Sequence, residues 1–194
     1  MEEFCLALGY FVSDYADAEY FLKLVAKTEI GMSEPTAKVL FSGQRVKPII
    51  DTIRKINEAN NTELSPGLDS AFVQFLTITD MRDKLLHQGF KKITAHEFVT
   101  SNSHLSFAES RTKTYPITVE VIEKMRIDVK MICCVLVFHS LTKKGQKSKS
   151  VTSQEFGYHG GIPSWQYKSP SPKTTSRKSQ QVHQNGVPQQ KSSP

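Results

Sequence analysis

The residues of this sequence with the clearest chemical potential are Arg82 and His87, which lie five positions apart near the end of an apolar-patterned segment. A guanidinium group binds a phosphate through a fixed fork of hydrogen-bond donors. An imidazole is the side chain best suited to moving protons near neutral pH. The pair therefore has the residue types that cleavage of RNA without a metal ion would use.

Apolar residues at spacings of three and four predict that the motif lies on the fourth of five helices. Ser33 is predicted to cap the second helix, with Pro35 in its first turn. Gly89 is predicted to end the fourth helix. Several β-branched residues leave a buried strand open as an alternative near the end of the last helix. The predicted helices cover residues 4–28, 34–41, 45–60, 67–88 and 116–141.

The segment after the motif lacks helical periodicity. Residues 93–99 and 105–108 are predicted to pair as a hairpin across Ser101 and Asn102. The expected fold class is therefore mainly α: an antiparallel helical bundle of about four to five helices, with a small β-hairpin insert and a disordered C-terminal tail.

Charge divides the chain into a predicted helical domain, 1–141, and a basic tail, 142–194. The first part has 16 Lys and Arg and 18 Asp and Glu, which gives a net charge of −2. The tail has nine Lys and Arg and one acidic residue, which gives a net charge of +8. Its Ser, Pro, Gln and Lys content predicts disorder from about Gly145, with an aromatic island at 156–167 as the exception. Such a tail either holds RNA loosely or is a solubilising linker without a specific partner.

Three cysteines, two of them adjacent, fit neither a disulfide framework nor a zinc site, so buried reduced thiols are expected. His96 and Glu97, as neighbours in a strand, point to opposite faces, so neither a metal nor a cofactor is expected. Glu2 and Glu3 replace the basic start of a signal peptide. The longest apolar run, 131–138, is too short to span a bilayer. A cytoplasmic protein without membrane contact is expected.

Arg82 and His87 lie about 140° apart around an ideal helix, so one straight helix cannot bring them together. They could line a groove if the last turn unwinds towards Gly89, or if a dimer brings two motifs face to face. A purely structural role is the alternative. In that case Arg82 is buried beside an acid, and His87 lies on the surface at the helix C-terminus.

Residues 76–90, with the core Arg82-Asp83-x-x-x-His87-x-Gly89, resemble the signature of HEPN (higher eukaryotes and prokaryotes nucleotide-binding) domains. That signature is an arginine followed by a histidine, with a polar residue, often asparagine, after the arginine. Residues 11–24 are similar to the first long helix of the family. Residues 40–56 are similar to the link and helix that precede the motif helix. The resemblance covers about residues 4–141 and leaves out the tail.

This resemblance implies a helical bundle that dimerises and, in many members, cleaves RNA without a metal. It makes Arg82 and His87 the catalytic pair. Asp83 replaces the commoner asparagine; its carboxylate would repel a phosphate, so it is expected to orient Arg82 or His87. Glu19 of the first helix is expected to hold Arg82 in place. Three cations near the motif are expected to contact RNA: Lys84, Lys91 and Lys92.

The function expected from the resemblance is metal-independent endoribonuclease activity at the cleft of a homodimer, in a toxin or defence system. The ribose 2′-OH would attack its own phosphate, with RNA as substrate and a cognate antitoxin or other partner protein as regulator. The net charge of −2 on residues 1–141 argues against this expectation. Two alternatives stay open: a non-catalytic module for nucleotide or partner binding and dimerisation, and a motif that is only structural.

Overall fold

The computed structural model describes residues 1–94, 97–102, 112–143 and 158–174. The mainly helical class is confirmed. Ser33 caps the second helix as expected, since its Oγ accepts a hydrogen bond from Thr36 N at 3.4 Å. The helices are α1 (Glu2–Ile30), α2 (Glu34–Phe41), α3 (Val46–Ala59), α4 (Pro66–Gln88) and α5 (Val119–Lys143).

A small antiparallel sheet follows the motif helix. Its strands, in spatial order, are β1 (Lys91–Lys92), β2 (Phe98–Ser101), β3 (Lys113–Ile117) and β4 (Lys173–Thr174).

The predicted partner strand of β2 was wrong. β2 pairs with β1 and with β3, where Val99 lies opposite Pro116; the predicted partner, 105–108, lies outside the described residues. Pro116 therefore does not open the last helix. That helix begins after Thr118, whose Oγ1 accepts from Val121 N at 3.2 Å and caps it.

The helices surround α1, which buries a residue in each of its turns. α1 and α5 run in the same direction, because Asp14 contacts Arg126 while Glu29 contacts His139. α4 runs antiparallel to α1, because Tyr15 lies beside Thr79 whereas Phe4, near the start of α1, contacts Phe90, just after the end of α4. The buried side chains of α1 are Phe4, Ala7, Phe11, Tyr15, Ala18, Leu22, Val25 and Ala26.

α4 changes its packing partner along its length. Near its start Asp69 accepts from Arg54 of α3, with 2.7 Å between Oδ1 and Nη2. Near its end the Lys84 carbonyl accepts from Thr100 Oγ1 of β2 at 3.1 Å. The side of α4 that is buried therefore changes along the helix. As a result Leu86, which lies within the motif, is 40% exposed although it is apolar.

The aromatic island of the C-terminal tail packs on the helices. Asp128 of α5, only 1% exposed, accepts hydrogen bonds from the backbone N–H groups of Gln166 (2.9 Å) and Tyr167 (2.8 Å). It also accepts from Gln74 Nε2 of α4 at 2.7 Å. We call residues 158–167 the C-terminal strap.

The strap falls within the aromatic island, 156–167, which is the predicted exception to the disorder of the tail. The Trp165 indole donates to Ser70 Oγ at 2.8 Å, and Tyr158 packs edge-on against Phe138. Burial of these rings offsets the entropy of ordering the backbone. The helical part also extends past the predicted boundary at 141, to Lys143. Residues 144–157 and 175–194 lie outside the described residues.

The three cysteines differ in their exposure. Cys134 is buried and Cys133 half-buried, but Cys5 is exposed at the start of α1, so the expectation of buried thiols was wrong for Cys5. Among the described residues, no helix combines the length and the apolar character needed to cross a membrane.

Glu29 joins the C-terminal ends of three helices. Its side chain is 1% exposed and lies 2.6 Å from His139 Nε2 and 2.7 Å from Lys143 Nζ, both on α5. Asn57 Nδ2 of α3 donates to it at 3.0 Å. Burial alone would raise the pKa of this carboxyl, but the hydrogen bonds from Lys143, His139 and Asn57 outweigh it and lower the pKa.

We expect Glu29→Gln to have a lower free energy of unfolding than the wild type at pH 7. The difference between the two proteins should become smaller as the pH is lowered. A carboxyl with a lowered folded-state pKa contributes stability above its ordinary value of 4.5 and loses it as the pH falls through the folded pKa. Urea unfolding at pH 7 and at progressively lower pH measures this. Glu120→Gln, at an exposed ion pair with Lys124, is the control with a smaller effect. A pH-independent deficit for Glu29→Gln would contradict the account.

We expect Asp128→Asn to lower the free energy of unfolding by about 3 kcal/mol, because its amide would point a donor at backbone N–H groups. The strap should then be cut sooner in limited proteolysis. Asp51→Asn, at a surface pair with Lys47, should change stability by less than about 0.5 kcal/mol. If urea unfolding and proteolysis of the two variants were the same, Asp128 would not hold the strap.

Candidate functional site

The motif lies on the last two turns of α4, which stays helical to Gln88. Gly89 follows with φ 69° and ψ −171°, a conformation that favours glycine. The chain thus leaves the helix only after His87. Unwinding before His87, one of the two geometries expected from the sequence, is not observed.

Asp83 connects the arginine and the histidine. Arg82 Nη1 donates to Asp83 Oδ1 at 2.8 Å. The same oxygen lies 4.0 Å from His87 Nε2. Asp83 can reach both groups because it is adjacent to Arg82 and one helical turn before His87. A carboxylate in this position can orient both side chains and stabilise an imidazolium.

The guanidinium of Arg82 packs on a buried tyrosine of α1. Its central carbon lies 5.1 Å from the centre of the Tyr15 ring, within range of a cation–π interaction. The Tyr15 hydroxyl is 2.8 Å from Thr79 Oγ1. Burial raises the pKa of Tyr15 well above its usual value, so the phenol stays neutral.

Arg82 is anchored at one end of its guanidinium and open at the other. The side chain is 27% exposed, and its Nε is buried without a hydrogen-bond partner among the described residues. Nη1 is bonded to Asp83, whereas Nη2 makes no hydrogen bond to another described residue. Nη2 is therefore the donor that remains for an anionic ligand.

His87 is the most accessible member of the motif. Its side chain is 61% exposed, and it lies in the last turn of α4 beside the exposed Leu86. An imidazole in this position can exchange protons with a molecule that binds from solvent. The same exposure also fits the structural alternative, a surface histidine near a helix C-terminus.

Glu19 does not take the part expected of it. Among the described residues, Arg82 forms its ion pair with Asp83 rather than with Glu19. Asp83, the carboxylate that was expected to orient Arg82 or His87, is the one that pairs with the guanidinium.

Of the three cations expected to contact RNA, Lys84 is engaged inside the fold. Its side chain is 16% exposed, forms an ion pair with Asp80 and lies 4.4 Å from the centre of the Tyr115 ring. Lys91 and Lys92 form the exposed strand β1 and stay accessible. The motif is thus poorer in free positive charge than the sequence suggested.

Two residues of the site, Tyr15 and Thr79, were not identified as such from the sequence. Both lie within the apolar repeats that predict α1 and α4, and residues in such a repeat are expected in the core. A polar-tipped tyrosine within such a stripe is the signal that could have identified a partner for Arg82.

Comparisons of this chain with protein-family models, with curated proteins and with solved structures found no match. The functional assignment therefore depends on the residues of the chain itself.

Proposed function

We propose that this chain is a metal-independent endoribonuclease of the HEPN type, with Arg82 and His87 acting in a cleft between two copies. The supporting observation is the Asp83 oxygen, 2.8 Å from Arg82 Nη1 and 4.0 Å from His87 Nε2. It accepts a hydrogen bond from the guanidinium and lies within ion-pair distance of a protonated imidazole, with both groups on one accessible stretch of helix. A cytoplasmic toxin or defence role, controlled by an antitoxin or another partner protein, belongs to the same proposal.

In the proposed reaction the ribose 2′-OH attacks the adjacent phosphorus, and the bond from phosphorus to the 5′-oxygen breaks. The products are a 2′,3′-cyclic phosphate and a 5′-hydroxyl. One His87 accepts the proton of the 2′-OH, and a second, protonated imidazole donates a proton to the leaving oxygen. Arg82 Nη2 donates to a non-bridging oxygen and stabilises the charge that develops there.

A second copy of the chain supplies the second histidine. A single chain has one His87, whereas general base and general acid catalysis in one step needs two proton-transfer groups. The exposed Leu86 provides apolar surface for contact beside the motif. A two-fold axis near the ends of the two α4 helices would bring both motifs to the same cleft.

The second candidate function is a non-catalytic module for nucleotide or partner binding and dimerisation. It is favoured by the Asp83 carboxylate, which neutralises Arg82 and would repel a phosphate, and by the net charge of −2 on residues 1–141. In this case Arg82 and His87 bind an acidic group of a partner.

We expect wild-type protein to cleave mixed-sequence single-stranded RNA in the presence of EDTA, and His87→Ala to be slower by about 100-fold or more. His159→Ala, an exposed histidine of the C-terminal strap, is the matched control and should cleave at the wild-type rate. Circular dichroism confirms that each variant is folded. Equal rates for the wild type and His87→Ala would contradict the proposal. Failure of all three proteins to cleave would favour the binding module.

We expect Asp83→Asn to bind RNA severalfold more tightly than wild type, because it removes a negative charge while its amide oxygen can still accept from Arg82 Nη1. Asp83→Ala removes the acceptor, and kcat should fall about tenfold or more as Arg82 loses its orientation. Steady-state cleavage kinetics separate KM from kcat. If Asp83→Asn raised KM, repulsion of the phosphate by Asp83 would be excluded.

A further inference from the structure

A cleft between α1 and α2 combines apolar walls with a positively charged rim. Its volume is about 410 Å³, within the range of small-molecule sites. Leu24, Ala37 and Phe41 contribute to its walls, and three lysines line it: Lys23, Lys27 and Lys38. We call this the lysine cleft.

The positive charge of the lysine cleft is only partly neutralised. Lys27 and Lys38 both pair with one carboxylate, Glu34, at 3.3 and 3.1 Å. Glu34 is 61% exposed, so these pairs are weak and can be exchanged for a ligand. Lys23, half-buried on α1, forms no ion pair with any other described residue. Three cations against one carboxylate predispose the cleft to bind an anion.

An aromatic ring lies at the same place. Tyr20 lines the cleft, and its side chain is 59% exposed. It meets Phe21 edge-on, with 5.6 Å between ring centres, which restrains the orientation of its ring. An exposed aromatic ring beside lysines is the arrangement with which proteins hold single-stranded nucleic acid, by base stacking and phosphate pairing.

The lysine cleft lies along the helix that supports the motif. Tyr15, the residue under Arg82, is eight positions before Lys23 on α1, a distance of about 12 Å along the helix axis. The two side chains differ by about 80° around that axis, so they point to neighbouring sides of α1.

We infer that the lysine cleft binds single-stranded RNA, with a base against Tyr20 and backbone phosphates on Lys23, Lys27 and Lys38. This inference rests on the proposed function, to which it adds the surface that holds the substrate. The cleft adds positive charge to that of the accessible Lys91 and Lys92 near the motif, where Lys84 is engaged with Asp80.

The test measures binding separately from cleavage. His87→Ala protein is titrated against a short fluorescein-labelled single-stranded RNA, and fluorescence anisotropy is recorded at several salt concentrations. In this background, Lys23→Gln with Lys38→Gln should weaken binding roughly tenfold at low salt. The slope of log affinity against log salt should decrease in magnitude by about 1.4, because two phosphate contacts are lost. Tyr20→Leu should weaken binding roughly tenfold through loss of stacking.

Lys55→Gln with Lys124→Gln is the matched control. Lys55 is exposed on α3 without an ion pair among the described residues, and Lys124 pairs with the glutamate four positions before it, as Lys38 does. Equal weakening by control and cleft variants, or none by the cleft variants, would overturn the inference, as would an absence of RNA binding by His87→Ala protein itself. Loss of binding confined to the cleft variants would support the inference. If wild-type protein then still failed to cleave RNA, the proposed function alone would be wrong.

Discussion

The candidate site depends on one carboxylate placed between an arginine and a histidine. Arg82 and His87 point about 140° apart on a straight helix, so they cannot contact each other directly. Asp83 reaches both because it is adjacent to one and a helical turn from the other. The arrangement therefore requires α4 to remain helical through His87, and Gly89 ends the helix only after that point.

The rest of the fold holds that stretch of α4 in place. Tyr15 of α1 supports the guanidinium from below, and the Lys84 carbonyl is tied to β2 through Thr100. Farther along the bundle, Asp128 captures the strap that lies across α4 and α5, and Glu29 joins the ends of α1, α3 and α5. α1 links these features, since it contributes Tyr15, Glu29 and two of the three lysines of the cleft, Lys23 and Lys27. These contacts tie the accessible end of α4 to the rest of the bundle.

The helices could be predicted from the sequence because their apolar periodicity is a local signal, and the Ser33 cap was predicted for the same reason. The pairing of β2 could not be predicted in the same way, because strand partners depend on contacts between residues that are distant in the sequence. The aromatic island that contains the C-terminal strap was expected as an exception to the disordered tail, but the place where it packs was not predicted. The order of the strap depends on the buried carboxylate of Asp128, which accepts a hydrogen bond from the backbone N–H of Gln166. The two residues are 38 positions apart in the sequence.

The site itself was predicted only in part. Residue types and spacing pointed to Arg82 and His87, and the contact between Asp83 and Arg82 agrees with the orienting role expected of Asp83. The expected contact between Glu19 and Arg82 is not among the ion pairs of the described residues. The lysine cleft was invisible in the sequence, because Lys23 and Lys38 lie on different helices, and only the packing of α2 on α1 brings them together.

The most direct test of the central claim compares the cleavage of two strands of the same sequence. One is RNA, and in the other every ribose is replaced by 2′-deoxyribose. If Arg82 and His87 catalyse attack by the 2′-OH, the RNA is cut to products with 2′,3′-cyclic phosphate and 5′-hydroxyl ends, and the deoxy strand stays intact. Cleavage of the deoxy strand, or RNA products with free 3′-hydroxyl ends, would contradict the mechanism.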